Sequence, residues 1–135
     1  MFPSHSEVPA NLDPNGEHAE SECVVVREIL DRVGDKWSVL VIALLGEQGL
    51  RFSELRRSIE GISQRMLTLT LRQLERDGLV SRTVHATVPP RVDYALTPLG
   101  QSVLEPLTVL MQWAQAHGTD VAEARRRYEE ERATG

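Results

Sequence analysis

Apolar side chains along this chain recur mostly at helical spacing, with one alternating stretch near residues 79–96. The clearest helical segment is 61–78, GISQRMLTLTLRQLERDG. At about 100° per residue, Leu67, Thr70, Leu71 and Leu74 share one side, with Met66 at its edge, as in a helix packed on a core. Ser63 is placed to cap the start through its hydroxyl, and Asp77-Gly78 to end it, because glycine accepts the left-handed backbone that follows many helices. Arg65, Thr68, Leu69, Arg72 and Arg76 fall on the opposite side.

The same reading extends in both directions. Residues 1–20 carry three prolines and scattered acids without periodicity and are expected to form a flexible arm. From Ser21, Val25, Val26, Ile29, Leu30 and Val33 recur at helical spacing, with Arg27, Glu28, Asp31 and Arg32 outward and Gly34 as the stop. Asp35 is an N-cap for a second helix, Lys36 to Leu45, whose Trp37, Val39, Leu40, Ile42, Ala43, Leu44 and Leu45 leave almost no polar side, so it should be central. Leu50-Arg51-Phe52 is too short for an independent strand but can add to a later hairpin, and Ser53 with Glu54 opens a third helix, Leu55 and Ile59 inward and Arg56 and Arg57 outward. Glu60-Gly61-Ile62 is then a tight turn. Helix, glycine turn and second helix with a cationic outer face is the order of a helix-turn-helix.

Leu79–Ala86 and Arg91–Leu96 are β-branched, alternating runs around Thr87-Val88-Pro89-Pro90, where prolines cost no ladder hydrogen bond. A hairpin directly after a cationic helix is a wing, with Arg91 and His85 able to reach phosphate or the minor groove. Arg82 has two readings, a phosphate contact or a cross-hairpin partner of Asp93, and the second is preferred. Thr97-Pro98 begins another helix. Its stripe, Leu99, Val103, Leu104, Leu107, Leu110, Met111 and Ala114, joined by Trp113, is longer than a small winged domain needs for its own core. Pro106 is expected to kink this helix and Gly118 to end it, with a last solvated helix from Thr119-Asp120. The expected organisation is a flexible arm (1–20), a winged helix-turn-helix unit (21–118) and a C-terminal helix or tail (119–135).

Charge changes the picture only when resolved along the chain. The net charge of −5 argues against nonspecific binding to a polyanion. Yet residues 1–50 hold 3 basic and 9 acidic side chains, residues 51–91 hold 8 and 4, and residues 92–135 hold 4 and 7. A basic middle between acidic ends is a focused binding face with repulsive flanks. Arginine offers a planar fork for phosphate or guanine, Gln64 and Thr68 can donate or accept, and Leu69 can touch a thymine methyl. Arginine supplies 14 of the 15 cations, Lys36 being the exception, so arginine alone does not mark a contact.

Other chemistries find little support. The four histidines (5, 18, 85 and 117) form no ligand spacing with one another or with Cys23, and there is no glycine-rich phosphate loop, so neither an enzyme nor a metal or cofactor is expected. The one cysteine cannot form an internal disulfide, which fits a reducing compartment. The longest apolar run, Val39–Leu45, is seven residues, far short of a membrane span, and the first twenty residues have no basic region followed by an apolar one, so a cytoplasmic protein is expected. A winged helix that binds protein would present an apolar or acidic outer face, and this one is cationic. A small-molecule cavity lined by Trp37, Met111 and Trp113 is compatible with DNA binding, although core packing is the preferred role of those residues.

The segments CVVVREILDRVGDKWSVLVIALL, LRFSELRRSIEGISQRMLTLTLRQLERDGLVSRTV and VPPRVDYALTPLG, with Trp113, resemble the HxlR-type winged helix-turn-helix transcriptional regulators, relatives of the MarR group. The resemblance implies a mainly α fold with a small β-hairpin and with N- and C-terminal dimerisation helices. It implies a regulator, taken as a repressor, that binds double-stranded DNA as a homodimer on an inverted repeat. Ser63, Gln64, Arg65, Thr68, Leu69 and Arg72 would then lie in the recognition helix, with Arg76, Arg56 and Arg91 on phosphates. Val26, Leu30, Leu104, Leu107, Leu110, Met111 and Trp113 would form the dimer interface. This chain has Val24 where the family often has proline, and Val92-Asp93-Tyr94 where it often has VEY. Some members sense oxidants through the N-terminal cysteine, which makes Cys23 a candidate sensor beside the plainer reading of a buried thiol. Arg27 one turn away favours a thiolate, and Glu22 and Glu28 oppose it.

Overall fold

The computed structural model describes residues 17–134, so the expected arm lies outside the described residues up to residue 16. Five helices and three strands follow in order: α1 (Glu17–Gly34), α2 (Lys36–Leu45), β1 (Leu50–Arg51), α3 (Phe52–Ser58), α4 (Gln64–Arg76), β2 (Val80–His85), β3 (Arg91–Leu96) and α5 (Pro98–Thr134). The architecture is mainly helical with a small antiparallel sheet in the order β1-β3-β2, a winged helix-turn-helix. The two-residue β1 joins the hairpin as expected, pairing Leu50 with Tyr94 and Arg51 with Asp93.

The core is built around α2 and α4. Asp35 caps α2, its Oδ2 accepting from the Ser38 backbone N–H at 3.0 Å and from the Ser38 hydroxyl at 3.1 Å. That pairing lets Ser38 be buried without an orphaned hydroxyl. Val41, Ile42 and Leu45 of α2 meet Leu67, Leu71 and Leu74 of α4, with Leu55, Ile59, Ile62, Val80, Tyr94 and Leu107 closing the cluster. Each fully buried leucine contributes roughly 1.5–3 kcal/mol relative to an exposed position. The core therefore fixes α4 from behind and leaves its other side to solvent.

Several expectations need correction. Helix α1 starts at Glu17, four residues before Ser21. Its Val25, Ile29 and Leu30 are exposed, because α1 lies against α2 along one face only, while Val33 packs on the core. Arg32, expected outward, is half-buried and its Nε donates to Asp77 Oδ2 at 2.6 Å, tying α1 to the end of α4. Helix α3 opens at Phe52, one residue earlier than Ser53, with the Glu54 carboxylate accepting from the Arg51 N–H at 2.8 Å. The last two helices are one: α5 runs 37 residues through both Pro106 and Gly118. At about 1.5 Å per residue it is roughly 55 Å long. An interior glycine costs a helix only about 1 kcal/mol, too little to break one that is favourable on both sides.

The start of α5 is bolted to the end of α4. Thr97 donates its N–H to the Leu79 carbonyl at 3.1 Å and its hydroxyl to the Gly78 carbonyl at 2.5 Å, and the same Oγ1 accepts from the Gly100 N–H at 3.0 Å. Beyond Leu107 the helix leaves the core, and from residue 112 onward every described residue is exposed. There Leu110, Ala114, His117, Val121, Ala124 and Tyr128 recur at alternating spacings of four and three, the seam of a helix that packs along another helix. No helix among the described residues is long and apolar enough to cross a membrane.

Candidate nucleic-acid interface

The turn before α4 is held from both ends. Ile59 and Ile62 are buried, and between them Gly61 adopts φ +85°, a conformation glycine reaches without a Cβ penalty. Ser63 then caps α4, its Oγ accepting from the Met66 N–H at 3.0 Å. At the far end Asp77 is the C-cap and Gly78 follows at φ +77°. Both ends are as the local sequence predicts, and they fix which side chains face outward.

Leu67, Thr70, Leu71 and Leu74 are buried. Gln64, Arg65, Leu69, Arg72 and Arg76 are exposed and Thr68 is half-buried. Gln64, Arg65, Thr68, Leu69 and Arg72 line one shallow groove on the outer face of α4. Arg56 and Arg57 of α3 flank it with Phe52, Ser53 and Gln64, and Arg56 Nη1 donates to Gln64 Oε1 at 3.4 Å. Ser63 is engaged in capping through its hydroxyl, so its contribution to the face is the rigidity of the helix start.

The wing lies alongside. Strands β2 and β3 pair from Val80↔Leu96 to His85↔Arg91, leaving residues 86–90 as the tip, with a cis peptide between Val88 and Pro89. Residues 87–90 of the tip, Arg91 and Val92 of β3, Arg51 of β1 and Phe52-Ser53 of α3 line a second groove. Asp93 organises this face: His85 Nε2 donates to its Oδ2 at 2.8 Å, and Arg91 Nη2 lies 3.3 Å from the same oxygen. Arg91 is thus at the wing as expected, and held by a carboxylate.

The preferred pairing of Arg82 with Asp93 is not found. Arg82 sits opposite Tyr94 and Thr83 opposite Asp93, and successive side chains of a strand point to opposite faces. Arg82 instead faces the crevice between β2 and α4, lined also by Thr68, Leu71, Arg72, Glu75 and Tyr94. Counting outward from a four-residue tip at 87–90 would pair Ala86 with Arg91 and set Arg82 and Asp93 on one face; the tip takes in Ala86 as well, and that one residue moves them to opposite faces. The Arg32–Asp77 tie could not be found that way, since it joins residues 45 apart.

The residues assigned to a dimer interface divide. Leu107 is buried in the subunit's own core and so is withdrawn as an interface residue; Leu104 is half-buried against Gly46. Val26 and Met111 are half-buried. Leu30, Leu110 and Trp113 are 61%, 55% and 54% exposed, with Trp113 stacked on His117 at 4.8 Å between ring centroids. Trp113 therefore neither packs in the core nor lines an enclosed cavity, whereas Trp37 packs against the core with Lys36 Nζ 4.4 Å from its ring centroid. Cys23 is buried, and Arg27 Nη2 donates to its Sγ at 3.7 Å.

This geometry agrees with known proteins. The family described as HxlR-like helix-turn-helix matches residues 32–122. An HTH-type transcriptional regulator of Methanothermobacter thermautotrophicus is 47% identical over 94 residues, 70% of this chain and 72% of the relative. Among solved structures, the transcriptional regulator ytfH from Salmonella typhimurium is 39% identical, with a TM-score of 0.69 over 75% of this chain and 90% of its own. HypR, described as a redox regulator and seen in its reduced form, is 39% identical, with a TM-score of 0.67 over 73% of this chain and 97% of its own.

Proposed function

The chain belongs to the HxlR-like helix-turn-helix family and is a transcriptional regulator, and from that premise we propose that it represses by binding an inverted-repeat operator as a homodimer. The observation that carries the proposal is the outer face of α4, where Arg65, Thr68, Leu69 and Arg72 are presented together while the opposite face is locked into the core. Two such helices would enter successive major grooves about one duplex turn, roughly 34 Å, apart. Arg65 and Thr68 reach base edges; Arg56, Arg72, Arg76 and Arg91 bind phosphates. Phosphate contacts hold the register and base contacts choose the site.

Arg65→Ala is expected to cost about 1–3 kcal/mol on the operator and to relax sequence preference, with little change on random duplex. The operator is first selected from a random duplex pool, and mobility shifts are then titrated on both DNAs. Equal losses on the two would remove Arg65 from base reading.

A second reading concerns the signal. The family neighbour HypR is described as a redox regulator, and here Arg27 donates to the buried Cys23 sulfur at 3.7 Å. We propose that Cys23 is oxidised, either to a disulfide with the second subunit's cysteine or to a mixed disulfide with a small thiol. Diamide, which takes two hydrogens from a pair of thiols, is expected to shift operator affinity of the unaltered protein and leave Cys23→Ser unchanged. An equal shift in both proteins would exclude the thiol.

A further inference from the structure

In the crevice between α4 and β2, Arg82 and Glu75 have no role in the assignments above, and Thr68 and Arg72 have one only toward the outer groove. The walls of the crevice are Thr68, Arg72 and Glu75 from α4 and Arg82 from β2, over a floor of Leu71 and Tyr94. Two arginines converge here from different elements, and neither makes an ion pair or side-chain hydrogen bond among the described residues. Glu75 shares the crevice, yet it forms no ion pair with either arginine. Two guanidinium groups lining one concave site, neither engaged by a carboxylate, form a place for an anion with several acceptor oxygens.

From this convergence we infer that the crevice is an oxyanion site, with Arg72 and Arg82 as its cationic jaws and the Thr68 hydroxyl as a further donor. Thr68 and Arg72 line both this crevice and the outer groove of α4, so the site opens onto the face proposed to meet DNA. The ligand chemistry is a phosphate, either a diester of the duplex backbone beside the groove that Arg65 reads or a free inorganic oxyanion. Identifying the source as DNA rests on the proposed duplex binding; the site itself does not. Glu75 opposes the anion by like charge, which keeps affinity moderate and salt-sensitive.

Two titrations on the full chain test this. In the first, duplex affinity is measured across salt concentrations for the unaltered protein, Arg82→Ala, Arg82→Lys and Glu75→Gln. If the ligand is the backbone, Arg82→Ala weakens specific and random duplexes alike by about tenfold and lowers the slope of log affinity against log salt by about 0.9. Arg82→Lys keeps the slope, and Glu75→Gln tightens binding severalfold. In the second, inorganic phosphate is titrated at constant ionic strength and followed by calorimetry. Phosphate binding that is lost in Arg82→Ala identifies a free oxyanion as a ligand. An unaltered salt slope together with phosphate binding that is absent or indifferent to Arg82 overturns the inference. Failure of the unaltered protein to bind any duplex would overturn the DNA reading alone and leave the phosphate titration to decide the site.

Discussion

Leu30→Glu combined with Leu110→Glu is expected to turn the proposed dimer into monomers and to weaken binding to the proposed operator by at least about a hundredfold, although neither residue is assigned a DNA contact. In a single subunit both side chains are more than half exposed, and they stand among a row of uncovered apolar groups that includes Val25, Ile29, Val109 and Trp113. A row of that kind on α1 and α5 is more than the scattered surface apolars of an ordinary monomer, and suits the surface of the proposed dimer. The shape of α5 makes the same point. Its last twenty-three described residues, 112–134, touch no core, although most helical stability in proteins comes from packing one face on a neighbour. Its surface ion pairs, such as Arg126 with Glu130 at 2.8 Å, contribute too little to replace that packing. Glutamate is a good helix former, so the double variant should keep its helices while placing four carboxylates in the apolar contact of a two-fold dimer. The affinity loss follows from tethering: two half-sites bound by linked subunits gain about 10²–10⁴ over independent binding. Sedimentation velocity and mobility shifts check the two halves separately. A variant that still sediments as a dimer, or a monomer that holds the full inverted repeat as tightly as the unaltered chain, would sink this reading.

What could be read from the sequence was mostly what is decided locally. Helix α4 announces both of its ends, through Ser63 and through Asp77-Gly78, and its stripe of Leu67, Thr70, Leu71 and Leu74 is the face that is buried. The hairpin was legible for the same reason, since prolines confine themselves to residues 86–90 and the strands alternate on either side. Contacts between distant residues were not. Nothing near Arg32 says that it meets Asp77, and the pairing of Thr97 with Gly78 and Leu79 spans eighteen or nineteen positions. Both kinds of tie act on the end of α4, so the parts of the site hidden from sequence are those that orient the recognition helix against α1 and α5. Arg82 departs from expectation on a smaller scale. The partner had suitable chemistry, but Arg82 and Asp93 have opposite parity in the ladder, and geometry outranked charge. Gly118 shows the converse, a local helix breaker that yields to the helical residues on both sides of it.

That contrast yields the second large effect, carried by two glycines of one helix. Gly100→Ala is expected to destabilise the fold by roughly 2–4 kcal/mol, the sum of an overpacked backbone contact and a weakened hydrogen bond. Gly100 is buried against Leu79, and a methyl group there would overlap the Leu79 carbonyl oxygen and stand 3.0 Å from its carbonyl carbon. That oxygen cannot simply move, because it accepts from the Thr97 N–H that anchors α5 to the end of α4. Relief would have to come from pulling the first turn of α5 off the hairpin, which also shifts α4 relative to α5. Gly118 lies in the exposed part of the same helix with nothing within 4 Å of an added Cβ, and Gly118→Ala is expected to stabilise by up to about 1 kcal/mol through helix propensity alone. Thermal unfolding read by circular dichroism separates the two, with a fall of about 10 °C for Gly100→Ala and a small rise for Gly118→Ala. A Gly100→Ala protein as stable as the unaltered chain would mean that the anchor between α4 and α5 is loose in solution. A loss at Gly118→Ala would mean that α5 bends there after all, and that the apolar seam beyond residue 118 does not continue the one that begins at Leu110.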